Sequence, residues 1–443
     1  MLDEIFEFFG LSSPIAKVIK PKILTGGSIR RKMSKILKFK PHSIFIGRIG
    51  RKKLFIGHGD RACVIGPPGT GKTTFLINQI YNWIMTGNSF ICLDIKPEIM
   101  AKTIKRLKAE GYRVIVYNPT NVKHQYNFLG DLDSLEAISE LANAFIGNES
   151  SSPVFAETAR DLLNAIILHI KKPTKKNPNP EPSLSEVYDF IVQAKTMKEL
   201  LTKLSHSNSE ESRAIANGLA IMGENERLLG SAFATFSANL RFLRLPSIRE
   251  SLSSQGFSLS ELLKPKTALF LQFEEVHQAT TSRFFSVMVG HLLRYMIMNN
   301  QNKRPVLMML DEIGNAEVVH DLTGKLNTMR SRNLPTWLYW QSIEQMNKYG
   351  SAPGQGANIV LAACDLNILF RVNDNATREY FATKVGTQEV TSVSVSQGTP
   401  TSSRKMQSVI EPYELGELKQ HMALYSYRGD YWVGRATPYF EEK

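Results

Sequence analysis

The sequence contains few cysteines and few histidines. Its three cysteines, Cys63, Cys92 and Cys364, each lie in an apolar stretch, and no two have the spacing of zinc ligands. We therefore expect buried, reduced thiols and neither a disulfide framework nor a zinc site. A chain without disulfides is typical of a reducing compartment, which predicts a cytoplasmic protein. The nine histidines are scattered, so a metal site made of protein ligands alone is not expected either.

Long hydrophobic runs are also absent. No stretch of 18 or more apolar residues occurs, so the sequence predicts no membrane-spanning helix. The nearest candidate, residues 284–298, is interrupted by His291 and Arg294. The first residues do not fit a secretory signal peptide, which begins with basic side chains. Residues 1–19 fit an amphipathic helix that could dock on a partner, on the chain itself or on a membrane surface.

Positive charge is concentrated at the start of the chain. The whole sequence has 54 basic and 41 acidic side chains, a net charge of +13. Residues 1–53 hold 13 basic and three acidic side chains, so most of the excess lies in this N-terminal arm. A basic arm attracts nucleic acid or an anionic membrane face, although a solvated basic tail has the same composition.

Strand and helix patterns alternate after the arm. Three short apolar segments, at residues 61–66, 89–95 and 112–117, predict strands separated by helices. This β–α–β–α–β order predicts an α/β fold with a mainly parallel sheet covered by helices.

The alternation stops between residues 134 and 263, where the patterns are helical apart from one polar, proline-rich stretch at 171–183. We interpret this region as an inserted all-α domain. Residues 387–407 alternate like a hairpin but have the composition of a loop. Strand patterns return after the insertion at 268–273, 306–310, 336–340 and 367–372.

A glycine-rich loop follows the first predicted strand and fits the pattern G-x-x-x-x-G-K-[ST]. Glycines let backbone N–H groups surround phosphate oxygens, and the helix that begins there points its positive end at the same anion. In this pattern Lys72 reaches the β- and γ-phosphates and the Thr73 hydroxyl binds Mg²⁺. The predicted nucleotide-binding residues are Gly66, Pro67, Pro68, Gly69, Thr70, Gly71, Lys72, Thr73 and Thr74.

Two adjacent carboxylates, Asp311 and Glu312, follow the apolar strand at 306–310. At the carboxyl edge of a parallel sheet such residues face the phosphate site. Asp311 would hold Mg²⁺ through water, and Glu312 would orient and deprotonate the attacking water. The alternative is an exposed acidic turn, which the preceding apolar residues disfavour.

Two further polar segments follow predicted strands. Gln341 ends the strand at 336–340 and could contact the γ-phosphate or the attacking water, or be a turn or helix-capping residue. The segment D-I-K-P-E at 94–98 closes the second strand. Such a charged strand-to-helix turn is common, so by itself this segment assigns no function.

Several motifs, taken in order, resemble the type IV secretion coupling proteins, which are conjugative DNA-transfer ATPases. The similarity covers about residues 57–439. It begins with the phosphate-binding loop and the segment L-D-I-K-P-E at 93–98. The other similar segments are Y-N-P at 117–119, Y-N-F at 126–128, F-x-x-x-A-x-x-L-L at 155–163, L-D-E-I-G-N-A at 310–316 and the block from Met329-Arg330 through Gln341-Ser342 to Tyr349-Gly350.

The resemblance implies a RecA-like P-loop NTPase with a mainly parallel sheet and an inserted all-α domain. It implies ATP and Mg²⁺, and homo-hexamers with ATP sites between subunits around a channel for single-stranded DNA. The isolated chain could still be a monomer. The implied domains are a basic N-terminal arm at 1–53, a P-loop half at 54–133, the all-α insertion at 134–263 and a Walker B half at 264–443.

The resemblance also implies that an arginine of the neighbouring subunit completes each site. Arg330 best matches that position, Arg332 and Arg371 are alternatives, and Arg61 could act within its own subunit. The predicted catalytic residues are Glu312, Asp311, Lys72, Gln341 and Arg330, with Thr73 and Asp311 as the metal ligands.

One departure concerns anchoring. Such proteins usually begin with transmembrane helices, whereas this sequence begins with a basic arm. It resembles a soluble variant that docks through other subunits, or a protein whose membrane part is encoded elsewhere. We expect a cytoplasmic protein, peripheral at the cytoplasmic face of the inner membrane.

The predicted function is that of an ATP-driven motor. It would recruit DNA–relaxase complexes, protein substrates or both and feed them to the subunits of a type IV secretion channel, with the all-α insertion reading substrate proteins. Two alternatives stay open. One is a nucleotide-gated adaptor without translocation, and the other is a cytosolic DNA helicase or packaging ATPase of the same superfamily.

Overall fold

A large β-sheet forms the centre of the molecule. The computed structural model describes residue 23 and residues 40–121, 124–147, 153–174, 182–194, 196–222, 226–273, 278–396 and 399–442. The strands are β1 (Ile44–Ile49), β2 (Lys52–Ile56), β3 (Ala62–Ile65), β4 (Phe90–Leu93), β5 (Arg113–Tyr117), β6 (Thr267–Leu271), β7 (Leu307–Leu310), β8 (Thr336–Trp340), β9 (Leu366–Phe370), β10 (Thr387–Ser396), β11 (Thr399–Ser408), β12 (Met422–Tyr427) and β13 (Asp430–Arg435).

The main sheet has 11 strands in the order β2-β1-β13-β12-β9-β3-β8-β7-β4-β6-β5. The strands from β9 to β5 pair in parallel. The strands β2, β1, β13 and β12 extend this sheet by antiparallel pairing. Strands β10 and β11 form a separate hairpin, as the alternation at 387–407 predicted.

The central strands are apolar along their whole length because both faces of the sheet are covered. In β3, Cys63 and Ile65 point into one hydrophobic cluster, while Ala62 and Val64 point into the other. Successive side chains of a strand point to opposite faces, so a strand buried on both sides is a continuous apolar run. The α/β prediction with a mainly parallel sheet is confirmed.

Helices cover the two faces. Between β5 and β6 the described residues form helices α3 to α9 and no strand, as the helical pattern at 134–263 predicted. The helices are α1 (Lys72–Trp83), α2 (Glu98–Ala109), α3 (Leu135–Phe145), α4 (Pro153–Lys171), α5 (Leu184–Val192), α6 (Met197–Ser205), α7 (Glu210–Ile221), α8 (Glu226–Asn239), α9 (Pro246–Ser251), α10 (Gln278–Asn299), α11 (Leu322–Ser331), α12 (Gln355–Ala362), α13 (Asn375–Val385) and α14 (Pro412–Gly416).

The helical region between β5 and β6 shares its core with the sheet. Leu162 and Leu163 of α4 belong to the same hydrophobic cluster as Cys63 of β3. Serine side chains cap several of these helices; Ser134, for example, accepts a hydrogen bond from the Ala137 N–H at the start of α3. None of the helices in the described part of the chain is long and apolar enough to cross a membrane.

The last part of the segment predicted as a basic arm belongs to the sheet. Residues 44–53 lie in β1, β2 and their turn, where Ile44, Phe45 and Ile46 are buried. Of the basic side chains in this hairpin, Arg51 and Lys52 are exposed, whereas Arg48 and Lys53 are part-buried. The rest of the arm, including the predicted amphipathic helix at 1–19, lies outside the described residues, as does most of the polar stretch at 171–183.

Candidate active site at the carboxyl edge of the sheet

The phosphate-binding loop connects β3 to α1, as predicted. Gly69 and Gly71 have φ angles of 80° and 107°, a backbone conformation that favours glycine. Helix α1 begins at Lys72, and its first turn contains no acidic residue. The positive end of the helix therefore faces the loop without a competing carboxylate, which suits an anion.

Side chains of the loop hold its shape. The Thr70 hydroxyl donates to the Pro67 carbonyl oxygen at 2.8 Å, and the Thr74 hydroxyl donates to the Gly71 carbonyl oxygen at 2.9 Å. The buried Lys72 ammonium donates to the Gly66 carbonyl oxygen. Burial lowers the pKa of Lys72, whereas the nearby carboxylates Glu312 and Asp311 raise it.

A cavity of about 320 Å³ lies between this loop and the ends of the neighbouring strands. It brings seven of the nine predicted loop residues, all but Gly66 and Thr70, together with both predicted carboxylates, although the two segments are more than 230 residues apart in the sequence. The cavity is lined by Pro67, Pro68, Gly69, Gly71, Lys72, Thr73, Thr74, Asp94, Ile95, Lys96, Glu98, Asp311, Glu312, Gln420, His421 and Phe440.

Asp311 directly follows β7 and is buried beside the loop. Burial raises its pKa to about 7, with a further contribution from Glu312, while Lys72 acts in the opposite direction. Its Oδ1 atom has no hydrogen-bond partner among the residues that the structure describes. A buried carboxylate oxygen without a partner among the described residues, in a cavity that Thr73 also lines, fits a divalent cation with oxygen ligands.

Glu312 and Gln341 are in direct contact. The Gln341 side-chain amide donates to Glu312 Oε2 at 2.7 Å. The Gln341 backbone N–H donates to Gln345 Oε1 at 2.9 Å, which holds the start of the segment after β8. Glu312 itself has a positive φ of 51°, a strained conformation for a residue with a side chain. The structure therefore pairs the predicted general base Glu312 with Gln341, the residue predicted to contact the γ-phosphate or the attacking water.

The segment after β4 also lines the cavity. Asp94 accepts hydrogen bonds from the backbone N–H groups of Ile99 at 3.1 Å and Met100 at 2.8 Å, and so caps the start of α2. Burial raises the pKa of Asp94, although these two hydrogen bonds lower it. Lys96 and Glu98 line the cavity wall. The sequence assigned no function to this segment by itself; its position at the end of a central strand is the signal that could have indicated its place in the site.

The C-terminal part of the chain supplies site residues that the sequence did not reveal. Gln420 and His421 precede β12, and Phe440 follows β13; all three line the cavity. They belong to no recognisable motif, and they lie more than 100 residues after the Asp311–Glu312 pair. Only the pairing of β12 with β9 brings this segment next to the loop.

Three of the four candidate arginines lie at the amino edge of the parallel strands, and Arg371 lies at the carboxyl edge. Arg61 precedes β3 and is buried, where its guanidinium donates to Asp365 Oδ2 at 3.3 Å and to Asn327 Oδ1 at 2.9 Å. It therefore lies at the amino edge, opposite the phosphate-binding loop. The prediction that Arg61 acts in its own site is wrong, because Arg61 and the loop are separated by the length of β3.

Arg330 also lies at the amino edge, in the last turn of α11. Its Nη1 atom is 3.6 Å from Asp365 Oδ1, and its side chain is 53% exposed. The structure does not bring Arg330 to the cavity of its own chain. Arg332 follows α11 at the same edge, whereas Arg371 follows β9 at the carboxyl edge.

These features define a class of protein. A glycine-rich phosphate loop between a central strand and a helix, with two carboxylates after a neighbouring parallel strand, is the site of a RecA-like P-loop NTPase. A family model described as type IV secretory system conjugative DNA transfer matches residues 18–421, and the chain belongs to this family. The resemblance found in the sequence is thus confirmed.

Solved structures share the fold. The unbound conjugative coupling protein TrwBΔN70 has a TM-score of 0.72 at 18% identity, covering 94% of this chain and 91% of that chain. TrwB in complex with the ATP analogue ADPNP has a TM-score of 0.68 at 18% identity, covering 94% of this chain and 93% of that chain. TrwB in complex with ADP and Mg²⁺ has a TM-score of 0.67, with the same identity and the same coverage of both chains.

More distant similarities are also found. VirB4 of Thermoanaerobacter pseudethanolicus has a TM-score of 0.55 at 13% identity, covering 91% of this chain and 99% of that chain. The DNA repair and recombination protein RadB of Methanococcus maripaludis is 30% identical over 80 residues. That match spans 17% of this chain and 37% of the relative.

Proposed function

We propose that this chain is an ATP-hydrolysing coupling protein that recruits DNA–relaxase complexes, protein substrates or both and drives them into a type IV secretion channel. One observation carries the proposal: a single cavity contains the Lys72 loop and the Asp311–Glu312 pair, in a chain of the conjugative DNA transfer family.

The nucleotide would be ATP with Mg²⁺. In support, TrwB, which shares the fold, was solved with ADPNP and with ADP and Mg²⁺. The loop N–H groups and Lys72 would bind the phosphates, and Thr73 and Asp311 would hold the metal ion. When bound, the ion would neutralise part of the charge on the phosphates.

Glu312 and Gln341 would act on the attacking water. Glu312 is partly exposed to the cavity, so it can accept a proton from a water molecule there. The amide of Gln341 restrains the Glu312 carboxylate through their 2.7 Å hydrogen bond. This contact would make the position of Gln341 sensitive to what Glu312 binds, and so couple the nucleotide to the segment after β8.

Assembly would complete the site. Arg330 is half-exposed and lies at the edge opposite its own loop, so it is placed to serve a neighbouring subunit rather than its own. We infer a homo-hexamer with ATP sites between subunits and a central channel for single-stranded DNA. Non-specific phosphate contacts would supply the affinity for DNA, which should fall steeply with salt. The basic arm would hold the protein at the cytoplasmic face of the inner membrane.

ATPase rate against protein concentration, with and without single-stranded DNA, tests this function. We expect the rate to rise more than linearly with protein and to increase with DNA, because neighbouring subunits complete each site. Lys72→Ala and Glu312→Gln should abolish turnover, since the first removes phosphate binding and the second the base. The exposed Lys105 on α2 offers a matched control, and Lys105→Ala should leave the rate unchanged.

Two other results would contradict the motor. Nucleotide binding with low turnover that DNA does not change would favour an adaptor without translocation. Strand separation by the purified chain, without any secretion subunit, would favour a helicase.

A further inference from the structure

The end of the chain crosses helix α1, which carries the phosphate loop. We call residues 436–442 the C-terminal strap. The carbonyl oxygen of Thr437 accepts a hydrogen bond from the buried Asn78 side chain at 2.8 Å. The ring of Tyr439 packs edge-on against Tyr81, with 5.8 Å between centroids. These contacts hold the strap against α1 up to Tyr439, the residue that directly precedes Phe440.

Two aromatic rings from the C-terminal part of the chain stand at the cavity. A Cβ atom on Gly71 would lie 2.4 Å from His421 Nδ1, so the His421 ring packs directly on the loop. The Phe440 ring of the strap stands edge-on to His421, with 6.1 Å between centroids. Phe440 is 60% exposed, whereas His421 is 9% exposed. The His421 ring is therefore held by the loop, and the Phe440 ring is open to a ligand.

Among the residues that the structure describes, the rest of the cavity lining contains no aromatic side chain. It consists of glycines, prolines, Ile95 and polar or charged side chains. A polyphosphate needs N–H groups and cations, which the loop and Lys72 provide. A nucleobase is flat and largely apolar, and aromatic rings bind it by stacking. The two rings therefore offer the surface that the nucleoside part of a nucleotide requires.

Electrostatics separate the two ends of the cavity. The charges that act on Lys72 are those of Glu312, Asp311 and Lys96. The charges that act on His421 are those of Arg435 and Glu441 instead. Burial lowers the pKa of His421 and Arg435 lowers it further, whereas Glu441 raises it; the net lowering of this pKa favours the neutral ring. A neutral ring suits a base better than it suits a phosphate.

A hydrogen-bonding group also lies at the aromatic end. His421 Nδ1 is buried and has no hydrogen-bond partner among the residues that the structure describes. Its ring packs against Gly71, so this edge is enclosed by the loop in the present conformation. Gln420, next to it in the sequence, lines the cavity with a side-chain amide. The aromatic end thus combines a stacking surface with the polar side chain of Gln420.

We propose that Phe440 and His421 form a nucleoside platform, in which the base of the bound nucleotide stacks on Phe440 while His421 supports that ring and the loop. This inference rests on the proposed nucleotide binding, and it assigns the part of the site that binds the base. The C-terminal strap is then a functional part of the site as well as a structural one.

Binding of ATP and of inorganic tripolyphosphate to Phe440→Ala tests the platform. Loss of stacking should weaken ATP binding about tenfold. Tripolyphosphate has no base, so its affinity should not change. Phe440→Trp should retain ATP binding because it preserves an aromatic surface. Tyr413 is also 60% exposed but does not line the cavity, so Tyr413→Ala is the matched control and should leave both affinities unchanged.

The outcomes separate the platform from the phosphate site. Unchanged ATP affinity in Phe440→Ala would overturn the platform. An equal loss of both ligands would overturn it too, because the strap would then act only by supporting the loop. In both cases wild-type protein would still bind ATP, and Lys72→Ala would still lose both ligands. If wild-type protein binds neither ligand, the nucleotide site fails, and the platform fails with it.

Discussion

Single side chains in the segments after β7 and β8 set the position of Glu312, the predicted general base. Glu312 has a positive φ, which costs about 1–3 kcal/mol for a residue with a side chain. Its hydrogen bond with Gln341 helps to hold that conformation. Gln341 is in turn held by Gln345, whose side chain lies against Gly314. The position of Glu312 therefore depends on Gly314, where a side chain would displace Gln345.

Substitution of Gly314 by alanine tests this chain of contacts. The new Cβ would lie 2.2 Å from Gln345 Oε1, so Gln345 must move and its hydrogen bond with the Gln341 N–H is lost. We expect kcat for ATP hydrolysis to fall about tenfold to a hundredfold, because misplaced catalytic groups are costly. Nucleotide affinity should change little, since the phosphate loop is untouched. Steady-state kinetics and equilibrium binding measure the two effects.

A glycine elsewhere provides the control for Gly314→Ala. Gly218 lies in the exposed part of α7, and a Cβ there would meet no atom within 4 Å. Gly218→Ala should leave kcat unchanged and stabilise the helix by about 0.5–1 kcal/mol. Equal kcat in Gly314→Ala and wild type would show that Gln345 adjusts without moving Gln341.

At the scale of elements, one ion-pair cluster joins the C-terminal strap to the β1–β2 hairpin. Glu442 Oε1 accepts from the Arg48 guanidinium at 2.9 Å, and Glu442 Oε2 accepts from the Lys53 ammonium at 2.8 Å. Burial raises the pKa of Glu442, but the hydrogen bonds from Lys53 and Arg48 outweigh it, so its pKa is lowered overall. The hairpin that follows the basic arm is thereby tied to α1.

Replacement of Glu442 by glutamine should destabilise the protein in a pH-dependent way. A carboxyl group with a lowered pKa stabilises the fold above its unfolded pKa of about 4.3, and this contribution is lost as the pH falls. We expect Glu442→Gln to cost about 1 kcal/mol at pH 7, as is usual for a partly exposed cluster. The difference from wild type should shrink as the pH falls toward about 3, because the Glu442 carboxylate then begins to bind protons.

Thermal unfolding at the two pH values measures this effect. The exposed Glu417, which follows α14, serves as the control, and Glu417→Gln should have the stability of the wild type at both values. A Glu442→Gln deficit that is the same at pH 7 and at about pH 3 would show that the ion pairs do not stabilise the strap.

At the scale of the whole molecule, the two edges of the sheet carry different parts of the predicted site. The loop, Asp311, Glu312 and Gln341 lie at the carboxyl edge. Arg330 lies at the amino edge, where Asp365 is its partner. A site that needs both sets of residues cannot be completed within one chain.

Mixing two inactive variants tests whether Arg330 acts in trans. The Arg330→Ala variant keeps the general base Glu312 but supplies no arginine to a neighbouring subunit. The Glu312→Gln variant supplies Arg330 but lacks the general base. We expect each variant alone to lose most ATPase activity and a mixture to regain part of it, because some sites then combine an intact base with an intact arginine. Arg332→Ala tests the alternative position at the same edge, and it should keep its activity if Arg330 is the arginine that acts in trans.

Two results of the mixing experiment would count against Arg330. Full activity of Arg330→Ala alone would direct attention to Arg371 at the carboxyl edge. An inactive mixture of variants that do assemble together would show that the arginine does not act across a subunit interface.

The sequence by itself determined the features that depend on neighbouring residues. The phosphate loop is contiguous, and its glycines, Lys72 and Thr73 act through local backbone geometry. The central strands are apolar throughout because they are buried on both faces, so they could be recognised as well. The strand at 336–340 was predicted with the bounds that the structure shows. The Asp311–Glu312 pair followed from the same rule, since it ends such a strand.

Only the tertiary structure decided which distant segments meet. The β1–β2 hairpin was not predicted, because its basic residues placed it in the expected arm. Strands β12 and β13 contain no motif. Arg61 was expected near the phosphates because it is close to the loop in sequence, but β3 separates the two. Phe440 and His421 reach the site through antiparallel pairing at one edge of the parallel strands. Such contacts join residues far apart in the chain, and they depend on sheet order and strand direction, which no local pattern encodes.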